Sequence, residues 1–447
     1  MHSSFGGRSH IGRMLDIGDE LVRLGHNVSY VALSDNMVFA EGTRLERCDL
    51  GAAGVYKGLK QMAQKGLMQD RYSIQRAFLH VHKNVLDACY KAEHPRLARA
   101  LQSPPDLLVC DAIAYACQDL ARELGIPLII SAQAYNPQQL EAIERKHVIL
   151  DYGMLISTSY LGLEPAMNYP PSLRFVGPLP MATPTLDSDS LDFLTAHPRV
   201  AYVGFGSLLA LTKQEVKRIL DALQASVEAD LLDGVIWGAA ATDLTSFPST
   251  LAINSTQTPL KNLNHFKILP WANQHAILNH PNTKLFITHA GLESLMEAID
   301  TKTPSLAMPF VFDQPRNAHR ISALGIGQTI PINCDATTIL CSIKTTLQAK
   351  HNLANIHAIA HSDPTSLQSA ANLILAYLNT ATVCRKASPF DPHATHPPCE
   401  LAYLIPTPTH LSYIQATLFL VLALPLYLLL TRLSIILHPK PKLTKVD

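Results

Sequence analysis

The sequence predicts two doubly wound α/β domains with parallel sheets, facing each other across a cleft and followed by a transmembrane helix. Short apolar runs alternate with longer amphipathic stretches along the body of the chain, and this alternation is typical of parallel sheets with right-handed crossovers. The series runs twice, over about residues 1–175 and 195–345. Near the end lies a 20-residue apolar segment, Leu411–Leu430, which is long enough to cross about 30 Å of hydrocarbon.

The composition excludes several classes of protein. The 447 residues include 36 Lys and Arg against 36 Asp and Glu, a balance that argues against a nucleic-acid-binding protein. Charged residues make up 16% and apolar residues 47%, which argues against intrinsic disorder. The eight cysteines form no Cys-x-x-Cys pair, so no zinc ribbon or thioredoxin-like centre is expected. Most cysteines are expected to be small buried side chains.

The individual elements follow from length and periodicity. Apolar runs too short for helices are interpreted as strands buried on both faces. They are Val28–Leu33, Leu107–Cys110, Leu128–Ser131, Val200–Phe205, Val235–Trp237, Leu285–Thr288 and Ser305–Met308. Helical periodicity is found in Met14–Leu24, Tyr115–Leu124, Gln214–Ser226, Leu292–Asp300 and Leu367–Leu378. The segment Thr183–Asp192 is interpreted as a linker between the domains.

These elements divide the chain into five parts. We expect an N-terminal domain over residues 1–180, a C-terminal domain over 181–383, a Pro- and His-rich stalk over 384–410, a transmembrane helix over 411–431 and a basic tail over 432–447. Lys and Arg follow the apolar segment and are absent from the fifteen residues before it, so the tail is expected to be cytoplasmic and the body to lie across the membrane. The alternative is a buried C-terminal helix of the soluble core.

The N-terminus carries no apolar run of the kind found in a signal peptide. Either the start of the gene product is missing from this sequence, or the C-terminal helix inserts by itself.

The segment Trp271–Gln314 carries the pattern of a nucleotide site. A strand ending at Thr288 is followed by the tight turn His289-Ala290-Gly291 and by a helix. The free N–H groups of that helix's first turn and its dipole favour an anion. His289 and Ser294 are placed to bind a diphosphate, and Glu297 to accept hydrogen bonds from a ribose.

Three further side chains complete this pattern. Trp271 offers a flat face on which a base can stack, and packing in the core is its alternative role. Asp313 and Gln314 follow the next strand and can bracket a polyhydroxylated group.

The segment resembles the donor-binding signature of the UDP-glycosyltransferase family. The matching positions are Trp271, Gln274, His289, Gly291, Ser294, Glu297, Pro304, Pro309, Asp313 and Gln314. The resemblance implies the GT-B fold of two facing Rossmann-like domains, in the membrane-anchored branch. It implies that Trp271 stacks on uracil and that Gln274 belongs to the UDP-sugar site. By the same resemblance Asp313 and Gln314 bind the sugar, and Gly206 and Ser207 form a second phosphate-contacting loop, where Ser207 could alternatively be a helix N-cap.

The same resemblance implies an inverting mechanism with a UDP-sugar as co-substrate, no cofactor and no metal. Family members place a base at the turn where His10 lies, and an Asp that corresponds to Asp111 orients it; a helix N-cap is the alternative role of Asp111. A neutral imidazole removes the proton of an acceptor hydroxyl as it attacks the anomeric carbon, and a nearby carboxylate stabilises the imidazolium. Glu293 departs from the pattern, since many plant members of the family have Asn at this position. An acid here opposes a bound phosphate.

The resemblance therefore implies an enzyme that moves a hexose from a UDP-sugar to a hydroxyl of a small lipophilic acceptor, in the endoplasmic reticulum lumen. Only Met1–Phe5 are available for the first strand, so the alternative is a membrane-anchored UDP-sugar-binding protein with weak or no turnover. A lipid or sterol carrier is the third hypothesis. No nucleic acid partner is expected.

Overall fold

A computed structural model describes residues 1–4, 8–52, 86–132, 153–159, 163–164, 173–181, 185–207, 210–253, 256–311 and 313–387, with the backbone alone at 8–10, 153–155 and 382–387. The predicted transmembrane helix and basic tail, and all of the predicted stalk beyond residue 387, lie outside these ranges. Within them, no helix combines the length and the apolar character needed to cross a membrane.

The first half of the chain contains one parallel sheet. Its strands are β1 (Ser29–Ala32), β2 (Glu46–Asp49), β3 (Leu108–Asp111), β4 (Leu128–Ala132), β5 (Gly153–Ser157) and β6 (Leu173–Phe175). They lie in two hydrogen-bonded sets, β2-β1 and β3-β4-β5-β6, and every pair is parallel. Its helices are α1 (Arg8–Arg23), α2 (Asp87–Ala100) and α3 (Tyr115–Glu123), with a 3-10 helix over Ser34–Ala40.

The first four residues join the two sets of strands. His2 forms parallel bridges with Val31 of β1 and Cys110 of β3. Its N–H donates to the Val109 carbonyl over 2.9 Å, and its carbonyl accepts from the Asp111 N–H over 2.9 Å. His2 thus bridges the two sets of strands and is hydrogen-bonded to the backbone of Asp111.

The second half contains a six-stranded parallel sheet in the order β11-β8-β7-β12-β13-β14. These strands are β7 (Val200–Gly204), β8 (Gly234–Gly238), β11 (Phe266–Leu269), β12 (Thr283–Thr288), β13 (Ser305–Ala307) and β14 (Gly327–Thr329). An antiparallel pair, β9 (Thr250–Ile253) and β10 (Thr256–Pro259), lies beside it.

The helices of the second half are α4 (Ser188–Ala196), α5 (Lys213–Glu228), α6 (Gln274–Leu278), α7 (Leu292–Asp300), α8 (Gln314–Ala323), α9 (Ala336–Gln348), α10 (Leu353–Ala360) and α11 (Ser366–Ala387), with 3-10 helices over Leu244–Ser246 and Leu260–Asn262.

The predicted linker Thr183–Asp192 is wrong in its second part, because helix α4 begins at Ser188. The Asp187 carboxylate accepts a hydrogen bond from the Ser190 N–H over 2.8 Å. This is an N-cap, which satisfies an N–H group that the first turn of a helix leaves unpaired.

The cysteine prediction also needs one correction. Cys110 and Cys117 are buried as expected, but they form a disulfide that joins the end of β3 to helix α3.

The two halves are in contact at several points. Residues of α11, including Ala371 and Ile374, share an apolar cluster with Met14 and Leu15 of α1. The last helix therefore packs on the first half of the chain. The buried Glu164 forms ion pairs with two arginines of α8, Arg316 at 3.0 Å and Arg320.

Candidate functional site

The turn between β12 and α7 has an unusual backbone. Ala290 is fully buried and has a φ of 64°, a conformation that costs free energy for a residue with a Cβ and that occurs preferentially at functional sites. The buried Asn317 of α8 holds this turn, because its Nδ2 donates to the Ala290 carbonyl over 3.0 Å and to Asp313 over 2.7 Å. The sequence did not single out Asn317, whose role depends on this contact between two distant segments.

His289 lies between two glycines from different loops. A Cβ added at Gly206, after β7, would lie 2.7 Å from the His289 Nε2, and one added at Gly291 would lie 2.6 Å from the same atom. Burial lowers the pKa of His289 to about 4, although Asp313 and the Gly204 carbonyl oppose the shift. The imidazole is therefore neutral near pH 7 and carries a single N–H group, which either the Gly204 carbonyl or a phosphate can accept.

The first turn of α7 offers N–H groups to an anion, but one of these groups already has a partner. The N-cap residue is Gly291, which has no capping side chain. The Leu292 N–H donates to the Asp313 carboxylate over 3.2 Å. Asp313, predicted to bind the sugar, thus also takes one of the N–H groups that we expected to be free.

Three predicted residues come together beside this turn. The Gln274 Nε2, at the start of α6, donates to the Ser294 Oγ over 3.0 Å and to the Glu297 carboxylate. A Cβ at Gly204 would lie 2.7 Å from the Gln274 Oε1, so this side chain also lies against the end of β7. Burial raises the pKa of Glu297 to about 7, with the Gln274 hydrogen bond opposing the shift.

Trp271 follows β11 and is 70% exposed. Its alternative role as a packing residue in the core is therefore excluded, and its ring is accessible to a base.

Gln314 is buried. Its Oε1 accepts from the Phe310 and Val311 N–H groups at 3.0 and 3.2 Å, which leaves the amide nitrogen as the end that can face a ligand.

Ser207 is not the N-cap of the helix that follows it. That helix, α5, begins with a capping box formed by Thr212 and Glu215.

Glu293 has a partner that the sequence did not reveal. Arg13 of α1 donates to both Glu293 oxygens, from Nε over 3.5 Å and from a terminal nitrogen. Its other terminal nitrogen donates to the Pro180 carbonyl over 3.0 Å. Burial alone would lower the pKa of Arg13, but the Glu293 pair outweighs it and the pKa is raised. The acid at the predicted phosphate position is thus paired with a cation from the other half of the chain.

The predicted catalytic pair lies at the carboxyl edge of the first sheet. His10 lies in the first turn of α1, which begins at Arg8, and not in a turn before the helical pattern that was predicted from Met14. Its side chain lies outside the described residues. Asp111 ends β3 and is buried. Its Oδ1 accepts from the Ile113 N–H over 3.0 Å. The N-cap position of α3 is Ala114, so Asp111 does not cap that helix.

Parts of the sequence match a known protein family and individual relatives. The sequence model of the family described as UDP-glucoronosyl and UDP-glucosyl transferase matches residues 148–371. A UDP-glycosyltransferase of Talaromyces amestolkiae is 31% identical over 289 residues, which are 50% of this chain and 54% of that protein. The UDP-glycosyltransferase stmC of Aspergillus ustus is 29% identical over 293 residues, with the same two shares. The chain thus spans about half the length of these relatives.

Solved structures resemble the fold over most of the chain. A UDP-glucose: anthocyanidin 3-O-glucosyltransferase in complex with UDP has a TM-score of 0.62 at 16% identity and covers 85% of this chain and 99% of its own. The glycotransferase of kitacinnamycin has a TM-score of 0.60 at 18% identity and covers 84% and 98%. These likenesses confirm the α/β GT-B fold with parallel sheets. The chain belongs to the UDP-glycosyltransferase family.

Proposed function

We propose that the protein transfers a hexose from a UDP-sugar to a hydroxyl of a small lipophilic acceptor with inversion. The observation that supports this most is the convergence of Gln274, His289, Ser294 and Glu297 at the carboxyl edge of the second sheet. Ligands of doubly wound sheets bind at this edge. We expect Trp271 to stack on uracil, His289 and Ser294 to bind the diphosphate, and Glu297 the ribose.

The remaining donor contacts follow from neighbouring loops. Asp313 and the Gln314 amide nitrogen are expected to bind the sugar, and Ser207, next to the glycine that contacts His289, a phosphate. The negative charge that develops on the departing UDP would be stabilised by the first turn of α7.

His10 is the proposed base and Asp111 its partner. The His10 backbone lies in the first turn of α1, and β3 ends at Asp111, whose N–H donates to the carbonyl of His2, upstream of this helix. A carboxylate in this place can orient an imidazole and stabilise its protonated form.

The rival hypothesis of a UDP-sugar-binding protein with weak turnover was based on the small number of residues, Met1–Phe5, that are available for the first strand. The backbone of Met1 is hydrogen-bonded to β1 and that of His2 to β3, which weakens that ground. The two hypotheses differ in one measurement. Purified protein given a radiolabelled UDP-hexose and a panel of lipophilic alcohols and phenols should form labelled glycosides. UDP binding by calorimetry without any glycoside or free hexose would favour the rival, and absence of UDP binding would leave the carrier hypothesis.

Membrane anchoring through residues 411–431 remains part of the proposal, with the body in the endoplasmic reticulum lumen and the tail in the cytoplasm. It is supported by the length and the lack of charge of this segment. The full chain should stay in the membrane pellet after alkaline carbonate extraction, and a chain ending at residue 387 should be released. Release of both would contradict the anchor.

A further inference from the structure

We propose that Asp300, His357 and His361 form a zinc-binding site at the end of α7 opposite to the donor site. One ligand atom from each of these residues lies within 4.8 Å of the other two. The residues belong to the end of α7 and to α10, and they take no part in the proposed transfer reaction. The sequence patterns did not suggest a metal site, because Asp300 is far from the two histidines along the chain.

The Asp300 carboxylate is held in place by a third histidine. The Nε2 of His275, in α6, lies 2.6 Å from one Asp300 oxygen. A carboxylate only accepts, so this nitrogen carries the hydrogen. The His275 side chain is 6% exposed, which makes this contact rigid. Ligating carboxylates are commonly hydrogen-bonded in this way, and such a contact fixes the orientation of the other oxygen.

The other Asp300 oxygen faces His361. It lies 2.8 Å from the His361 Nε2, and the His361 Nδ1 lies 2.9 Å from the His357 carbonyl oxygen. One ring nitrogen of His361 thus faces the carboxylate and the other faces a backbone carbonyl. A zinc ion bound at Nε2 would take the place of the hydrogen in the contact with Asp300, because a ligating imidazole nitrogen offers a lone pair.

The two histidines have a spacing that suits chelation. They are four residues apart in α10 and at its C-cap, so they lie on the same side of the helix. Two histidines at this spacing on a helix are a known zinc-binding arrangement. Their rings are stacked, with centroids 4.0 Å apart and planes 19° apart, so the in-plane lone pairs run side by side. Both rings must therefore turn before their nitrogens and the Asp300 oxygen reach the roughly 2.0–2.2 Å that zinc requires.

The ligand set selects the kind of metal. Two imidazoles and one carboxylate suit Zn²⁺ and related transition metals, whereas Mg²⁺ and Ca²⁺ prefer oxygen ligands. The C-terminal end of α7 adds a favourable partial negative charge. Lys302 also acts on His357 and opposes a cation, but it is exposed to solvent, where its charge is screened. His361 is exposed as well, so an ion can reach the site from solution.

Calorimetric titration of the tag-free full chain with ZnCl₂ tests the proposal. We expect one equivalent to bind with a dissociation constant of about 1 μM or lower, and MgCl₂ to give no heat. The double variant His357→Ala/His361→Ala should weaken zinc binding at least tenfold. His319→Ala, which removes an exposed histidine of α8, serves as the matched control and should bind as the wild type does. Equal zinc affinity in the double variant and the wild type would overturn the proposal, as would absence of binding.

A second measurement keeps the test independent of folding. Zinc should raise the melting temperature of the wild type and of His319→Ala but not that of Asp300→Asn, which keeps the shape of the side chain. X-ray absorption at the zinc edge should show two imidazoles and an oxygen ligand; a spectrum without imidazole would contradict the site.

Discussion

Arg13 in the second turn of α1 and Glu293 in the first turn of α7 form an ion pair between different halves of the molecule. Their side chains are 15% and 30% exposed, so water screens the pair less than it screens a surface ion pair. Because Glu293 lies in the turn that we expect to receive the diphosphate, we expect the pair to couple donor binding to the contact between the halves.

Removing either partner should change UDP affinity in opposite directions. Arg13→Ala leaves a carboxylate unpaired beside the diphosphate, and we expect UDP to bind about 10- to 30-fold more weakly, which corresponds to about 1.4–2 kcal/mol. Glu293→Gln removes the repulsion and should leave affinity unchanged or increase it severalfold. Calorimetry with UDP on the two single variants and the double variant gives the coupling between them. Equal weakening by both substitutions would contradict this assignment.

Glu297 should make stability depend on pH. Its pKa is raised to about 7 by burial, above that of the unfolded chain, so the folded state binds more protons and stability falls as pH rises from about 4.5 to 7. Glu297→Gln should be as stable as the wild type at pH 4.5 and more stable by about 1–3 kcal/mol at pH 8. Urea unfolding at both pH values measures this. Glu41→Gln, at an exposed carboxylate, is the control, and an equal difference at both pH values would refute the titration.

Trp271 can be tested without disturbing the fold. Its side chain is 70% exposed, so Trp271→Ala should leave the melting temperature unchanged. Stacking on a base contributes about 1–3 kcal/mol, so the variant should bind UDP about 5- to 150-fold more weakly, while Trp271→Phe retains most of the affinity. If UDP binds equally well to Trp271→Ala, the uracil lies elsewhere.

His10→Ala should lower transfer by about 10²- to 10⁴-fold and leave UDP affinity nearly unchanged, because general base catalysis acts in the transition state. Asp111→Asn should also lower transfer, since an amide cannot stabilise an imidazolium by charge. His26→Ala removes an exposed histidine just beyond the other end of α1 and should keep full activity. Initial rates with saturating donor measure all three, and normal turnover by His10→Ala would exclude it as the base.

Strands buried on both faces, as in Val200–Phe205 and Leu285–Thr288, could be predicted because they form short apolar runs. The remaining strands were not predicted; they are β2, β5, β6, β9, β10, β11 and β14. Helix α7 was predicted with its observed bounds, since a glycine turn precedes it and its apolar residues repeat at helical spacing. Helix α4 was missed because its polar, Pro-flanked start resembles a linker, and the N-cap role of Asp187 becomes visible only in three dimensions.

The candidate site also contains residues that could be predicted from the sequence and residues that could not. Residues within one local pattern, such as His289 and Ser294, could be chosen from the sequence. Arg13 could not, because its partner is 280 residues away, and no local pattern records a contact between two halves. Asn317 holds a turn that precedes it by 27 residues. The cluster at Asp300 combines residues of α7 and α10, and the only part of it visible as a local pattern is the four-residue spacing of His357 and His361.

The two glycines that flank His289 set a limit for anyone who diversifies this chain in the laboratory. A methyl group at either position would meet the imidazole at 2.6–2.7 Å, closer than van der Waals contact allows, and Gly206 has a φ of 73° that disfavours any other residue. Combinatorial libraries aimed at a new nucleotide sugar should therefore keep both glycines constant.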